Sequence, residues 1–337
     1  MDLEKRINAI QAIGNSFQTI SSEAFDNLSW KAANENNWFT SSNVQNAIKS
    51  WANELTLENL VHWTKNQKLK PSSPKKIGLI LAGNLPLVGL HDVITVLISG
   101  HIACLKYSSQ DRILMSWAIE QLTTIEPEFE NQIEIREQMK DVDAVIATGS
   151  DNSARYFNYY FSKIPHIIRQ NRVSAAILKG DETKEDLIKL GADIFQYFGL
   201  GCRNVAKLFV PEEYNFTPFI EAQMGKESVL EHHKFKNNYD YNKSIYLVNK
   251  EPHLDSGFFL ISEANELVSP ISVIYYETYK SEAELALRLS SVSEKIQCIV
   301  SNNAWYSGSF DFGQAQCPAL WDYADGVDTL EWLDNLT

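Results

Sequence analysis

The chain has 337 residues, 44% hydrophobic and 22% charged, which is enough for about two domains with cores of their own and too apolar for a disordered chain. Its formal net charge of −13 gives a surface that repels phosphate backbones and argues against nucleic acid as a partner. A phosphorylated cofactor is not excluded, because a few local cations and backbone N–H groups suffice to hold one.

The cysteines are Cys104, Cys202, Cys298 and Cys317, and none forms a CxxC pair, so no zinc site is suggested. A chain of this length needs no disulfide staples, and its charged Met-Asp-Leu-Glu-Lys-Arg start is unlike a secretory leader. Reduced thiols and a cytoplasmic location are therefore expected. No run reaches the roughly 18 apolar residues of a membrane span. The longest candidate, 77–105, is interrupted by Asn84, Pro86, His91, Asp92 and His101.

Residues 1–75 read as mostly helical. Leu3, Ile7, Ile10 and Phe17 fall near one helical face. Val44, Ile48, Trp51 and Leu55 form a second stripe, extended by Leu60 and Trp63, with Ser42 or Asn43 as its N-cap. Such stripes predict an amphipathic packing layer, with a lid over an apolar substrate as the alternative. After the Pro-rich connector 70–76 the composition changes. Residues 77–82 predict a buried strand, 83–86 a turn with Pro86 in the first turn of the next helix, and Gly100 the end of that helix. A strand over 102–106, a helix capped by Ser108 or Ser109, and a strand over 143–147 follow. Thr148-Gly-Ser-Asp151 is a strand-to-helix turn of the kind that suits an anion. A strand over 174–178 and a helix over 185–198 complete a β-α-β-α pattern, hence a parallel sheet. From residue 205 the pattern restarts, with strands at 205–210, 244–248, 258–261, 271–276 and 297–300 and helices at 216–230 and 281–289. The tail from Phe312 is loop-rich. This predicts an α/β chain with a helical N-terminal segment (1–76) packing on a first α/β domain (77–197), a second α/β domain (198–305), and a tail (306–337) returning toward the first.

The stretch most suggestive of chemistry is Gly199-Leu-Gly-Cys-Arg-Asn-Val205. Its glycines permit positive φ and close approach, and Arg203 places positive charge near the Cys202 sulfur, which favours the reactive thiolate. Cys202 reads as a nucleophile, the alternative being a buried structural cysteine. Other signatures are absent. Gly199-Leu-Gly201 matches only the first half of GxGxxG, and no GxxxxGK[ST], GxSxG or HExxH occurs. The adjacent His232 and His233 read as exposed at a charged helix end.

Five segments in one order resemble the aldehyde dehydrogenase superfamily. They are most similar to its acyl-CoA reductase branch, the reductase subunit of bacterial luciferase fatty-acid reductase complexes. The segments are Gly83-Asn-Leu-Pro-Leu-Val-Gly89, Leu105-Lys-Tyr-Ser-Ser-Gln-Asp111, Thr148-Gly-Ser150, Gly199-Leu-Gly-Cys-Arg-Asn-Val205 and Asn265-Glu-Leu-Val-Ser-Pro-Ile271. They cover about residues 77–320. The resemblance implies an aldehyde-dehydrogenase-like fold, two α/β domains with parallel sheets, and a role for each segment. Cys202 would be the nucleophile that forms an acyl-enzyme, with Asn84 as the oxyanion donor. Lys106, with Ser108, would meet the adenosine ribose. Thr148, Gly149 and Ser150 would line the pyrophosphate or nicotinamide side, and Glu266 would bond the nicotinamide ribose. A cation at Lys106 suits a 2′-phosphate and favours NADPH over NADH.

One departure is informative. Aldehyde-oxidising members carry Glu-Leu-Gly-Gly-Lys before the fourth strand, and that Glu activates water. Here the matching run is Arg169-Gln-Asn-Arg-Val173, and arginine cannot accept a proton at neutral pH. Asp181 or Glu182 remain as alternative bases. The implied activity is NADPH-dependent reduction of a medium- or long-chain acyl-CoA to the aldehyde. Two alternatives stay open: a CoA-acylating dehydrogenase running oxidatively, and a non-catalytic homologue that binds an acyl carrier or an acyl-protein synthetase. A homodimer is the expected assembly.

Overall fold

The computed structural model describes residues 1–336. The chain divides into two compact units, Met1–Asn171 with Ala319–Thr337, and Arg172–Pro318. The divisions thus fall after Asn171 and Pro318 rather than after 197 and 305.

The first unit opens with α1 (Leu3–Gln18), α2 (Ser22–Glu35), α3 (Ser41–Glu54) and α4 (Leu57–Thr64). On α1, Ile7, Ile10, Ile13 and Phe17 are buried at spacings of three and four, and the Asp2 carboxylate caps the helix by accepting from the Lys5 N–H. The cap of α3 is Thr40, whose hydroxyl accepts from the Asn43 N–H, two places before Ser42 and three before Asn43, the caps expected. Then come β1 (Lys76–Ile80), α5 (Leu90–Ser99), β2 (Ile102–Lys106), α6 (Arg112–Ile125), β3 (Ile133–Ile135), β4 (Ala144–Thr148), α7 (Asp151–Phe161) and β5 (His166–Arg169). The five strands form one parallel sheet in the order β3-β2-β1-β4-β5, and helices and sheet share one core. The strand order reverses between β1 and β4, the position where open α/β sheets accept ligands beyond their carboxyl ends.

Pro86 does not open α5. Residues 84–89 form bends and turns, Leu87 takes φ +57°, and the helix begins at Leu90. Neither Ser108 nor Ser109 caps α6: the cap position is Asp111, and the Ser108 hydroxyl accepts from the Gln110 N–H instead. The short strands β3 and β5 carry too few residues for a readable alternation and were not anticipated.

The second unit contains β6 (Val173–Ile177), α8 (Lys184–Phe195), β7 (Val205–Pro211), α9 (Thr217–Gln223), α10 (His233–Asn249), β8 (Leu254–Asp255), β9 (Leu260–Glu263), β10 (Val273–Tyr279), α11 (Glu282–Val292) and β11 (Ile296–Ser301). Its sheet runs β11-β6-β7-β10-β9-β8 and is parallel except at β8–β9. The strand expected at 174–178 therefore belongs here, hydrogen-bonded between β11 and β7. The strand expected at 244–248 is helix: Tyr239, Asn242 and Tyr246 of α10 are buried at helical spacing, and that packing overrides the β-propensity of the Ile-Tyr-Leu-Val run. The helix expected over 216–230 stops at Gln223, and a 3₁₀ turn follows at Glu227–Glu231. The last helix, α12 (Thr329–Asp334), belongs to the first unit.

Candidate functional site

Cys202 sits on the turn between α8 and β7 and is half-buried. The backbone leading to it is unusual. Tyr197 and Phe198 both lie in the left-handed region, at φ +54° and +60°, and Gly199 and Gly201 follow at φ +77° and +112°. Two bulky residues in that region store roughly 1–3 kcal/mol each, a cost that tends to persist at functional turns. Packing enforces it, since both side chains are buried and the Phe198 ring lies 4.4 Å from the His232 ring, tilted by 38°. His232 is half-buried rather than exposed as expected. It caps α10 through Nδ1, which accepts from the Phe235 N–H, while His233 is exposed.

The turn is tied down by groups distant in sequence. The Ser174 hydroxyl donates to the Cys202 carbonyl at 3.0 Å and lies 3.0 Å from the Cys298 Sγ. Burial pushes the Cys298 thiol up; Arg203 pulls it down, while Cys202 and Asp193 push it further up, so these four groups share one electrostatic neighbourhood. Arg203 donates to the Ala315 carbonyl at 3.2 Å. Fully buried Asp193 of α8 accepts from the Gly313 and Ala315 N–H groups at 2.6 and 2.9 Å. Burial pushes the Asp193 carboxyl up to about 7 against the pull of those two donors, and Asp311 adds to the rise. Nothing in the sequence marked Asp193, Ser174 or Cys298. An Asp on the buried face of α8 was the only available signal.

Glu266 is exposed on the loop after β9. Two cations fix the main chain of that loop. Fully buried Lys207 of β7 donates to the Ala264 carbonyl and pairs with Glu277 at 3.2 Å. Arg288 donates to the Asn265 carbonyl at 2.7 Å and also holds Glu277. Burial raises the Glu277 carboxyl, but Arg288 and Lys207 outweigh it and hold the group below its ordinary range. The same loop returns past Ser269, Ile271 and Ser272, which line a cavity of about 30 Å³ together with Gly199 and Asn204 of the Cys202 turn. That volume suits one water, and the buried Asn204 Oδ1 has no partner among the described residues. The Cys202 turn and the Glu266 loop are thus brought together.

The other candidates lie in the first unit, at the carboxyl edge of its sheet. Lys106 is the exposed last residue of β2, opposite Ile80 of β1. Thr148 ends β4, and Gly149 leads to Ser150, the N-cap of the eleven-residue α7. Asn84 is exposed on the loop after β1 and makes no hydrogen bond among the described residues. That loop is pinned by Asp111, which accepts from the Leu87 N–H at 2.8 Å; burial pushes the Asp111 carboxyl well up. Ser108 packs under it, since a Cβ on Gly83 would lie 2.4 Å from the Ser108 Oγ. The β1 and β4 loops flank the point where strand order reverses. An exposed cation, a helix N-terminus and open strand ends fit a dinucleotide. The Ser108 and Ser150 hydroxyls already serve their own turns by accepting from the Gln110 and Ser153 N–H groups.

The candidate bases are resolved by position. Arg169, at the end of β5, is buried and bidentate to Asp92 at 2.7 and 2.8 Å, and also reaches Thr329. It joins β5, α5 and α12, so its role is structural. Asp181 and Glu182 follow β6, whereas Cys202 precedes the parallel strand β7. They stand at opposite edges of one sheet, a strand length of roughly 16 Å apart. The Glu182 carboxylate is held there by the Lys179 and Gly180 N–H groups. Neither can act on Cys202. Among the described residues, no group of three His, Cys, Asp or Glu side chains could hold a metal, and no helix is long and apolar enough to cross a membrane.

No protein-family model matches the chain, and no curated protein does. Solved structures match its fold at low identity. Proline utilization A from Corynebacterium freiburgense aligns with TM-score 0.62 and 12% identity over 89% of this chain. The chain spans only 37% of that protein's length. An aldehyde dehydrogenase from Bacillus cereus, solved with NAD+, aligns with TM-score 0.61 and 13% identity over 89% of this chain and 72% of its own. An oxidoreductase from Marinobacter aquaeolei gives 0.64 and 14% over 90% and 74%. The fold is aldehyde-dehydrogenase-like, with parallel-sheet α/β units and a helical N-terminal region.

Proposed function

We propose that the chain is an aldehyde-forming acyl-CoA reductase using NADPH, with a medium- or long-chain acyl group carried on Cys202. The observation that carries this reading is the Cys202 turn: a half-exposed thiol on a strained backbone, held through its own carbonyl and through the neighbouring guanidinium. Its thiolate attacks the thioester carbonyl, the CoA thiolate leaves and takes a proton, and an acyl-enzyme thioester remains. Bound NADPH supplies the hydride that reduces that thioester. Collapse of the resulting hemithioacetal releases the aldehyde and returns the Cys202 thiolate.

The other residues take roles their surroundings support. Asn84, with an exposed carboxamide, donates to the oxyanion. Glu266, on a loop fixed by Lys207 and Arg288, bonds the nicotinamide ribose. Lys106 faces the adenosine ribose, and the turn after it carries no carboxylate before Asp111, whose carboxyl is engaged with Leu87. A 2′-phosphate therefore meets a cation without an opposing anion, which favours NADPH. With Arg169 locked to Asp92 and Glu182 at the far edge, no water-activating carboxylate is positioned from those elements, which favours aldehyde over acid. Replacing Cys202 by Ala or Ser is expected to abolish CoA release and NADPH oxidation together. Full turnover by either variant would end the proposal.

A further inference from the structure

The guanidinium of Arg203, the residue that follows Cys202, rests against the 310–315 segment. On one side it lies 5.4 Å from the centre of the Phe310 ring; on the other it donates to the Ala315 carbonyl at 3.2 Å. The Phe310 side is fixed by main-chain bonds to β11, from the Phe310 N–H to Ile299 and from the Ser301 N–H to Phe310. The Ala315 side has no strand to hold it. It is held by Asp193, whose two oxygens take the Gly313 and Ala315 N–H groups. The turn between them is pressed against α8: Gly313 adopts φ +82°, and a Cβ there would lie 3.4 Å from the Lys189 Cβ and 3.6 Å from its carbonyl oxygen. A fully buried carboxylate is costly to place, and its two acceptors are spent on one loop.

We infer that Asp193 is a positioning residue for Cys202, acting through the 312–315 turn to keep the Arg203 guanidinium beside the nucleophile. The inference rests on the reading of Cys202 as the nucleophile, and its consequence is electrostatic: with Arg203 seated, more of the thiol is thiolate near neutral pH. The charged and titratable groups facing Asp193 are Asp311 on the turn and Cys298 on β11, which itself feels both Cys202 and Arg203.

The test is alkylation of Cys202 by iodoacetamide, followed by peptide mass mapping to separate it from exposed Cys317. Asp193→Asn keeps one acceptor and turns an N–H toward the second donor. At pH 7 it is expected to slow alkylation about tenfold, as one unit less thiolate stabilisation requires. Arg203→Gln should slow it by the same factor, Arg203→Lys should restore part of the rate, and the Asp193→Asn, Arg203→Gln double variant should be no slower than either alone. The deficit should vanish at pH 10, where the thiol ionises unaided; a merely loosened fold would not produce that convergence. If Asp193→Asn does not fold, Gly313→Ala strains the same turn at its left-handed residue, φ +82°, and should give the same loss. Wild-type alkylation at pH 7 in the Asp193 or Gly313 variant, or multiplied effects in the double variant, overturns the inference. Alkylation needs neither acyl donor nor nicotinamide, so this result stands apart from whether the chain reduces acyl-CoA.

Discussion

Asn84 and Asp193 show how differently two polar side chains are placed for work. The first is exposed and free to meet a ligand; the second is sealed in the second unit and spent on backbone. In the proposed reaction Asn84 donates to an oxyanion, so Asn84→Ala is expected to lower kcat by about 100- to 1,000-fold with folding intact. Steady-state kinetics beside a melting curve check it, and an unchanged kcat would remove Asn84 from the mechanism. Asp193 acts on stability. Its carboxyl titrates near 7 in the fold and near 3.8 when unfolded, so between those values the native state holds a proton that the unfolded state lacks. Its contribution is full below about pH 4 and is lost as pH rises toward 7. Urea denaturation should show the advantage of wild type over Asp193→Asn shrinking from pH 4 to pH 8; an advantage that grows would contradict the assignment.

At the scale of elements, the Glu266 loop depends on strands and helices that it does not adjoin in sequence. Lys207 of β7 and Arg288 of α11 each hold one of its carbonyls, and both converge on Glu277 of β10. Lys207→Met is expected to cost about 1–3 kcal/mol, less than a fully broken buried pair because Glu277 keeps Arg288. It should also raise KM for NADPH, measurable by initial rates, whereas Met at a purely structural lysine would lower stability and leave KM alone. None of this network was legible from sequence, because a lysine in an apolar run gives no sign of which distant carbonyl it meets. The elements were read well where apolar periodicity was long, as along α1, and poorly where packing decides. The 244–248 run has strand propensity, yet Tyr239, Asn242 and Tyr246 bury one helical face. β3 and β5 are only three and four residues long and carry polar residues. The cap of α3 was misplaced by a short run of hydroxyl residues, Thr40 to Ser42, any of which can cap.

For the whole molecule, the motifs carried the fold, because glycine, proline and cysteine turns at strand ends are local signals. The unit boundary was misplaced, because the strand at Val173 gives no local hint that it pairs with β7 and β11 rather than β4. Candidate residues could be named from sequence where a residue's chemistry is its own, at Cys202 and Lys106, and not where it acts through others, at Asp193, Ser174 and Lys207. The proposed activity ties these parts to one covalent event. Intact-mass spectrometry of the chain mixed with a long-chain acyl-CoA tests it most directly. A gain of one acyl group mapped to Cys202, stable in buffer and discharged as aldehyde on adding NADPH, is the predicted result. No adduct, an adduct on another residue, or discharge as free acid without NADPH would contradict it.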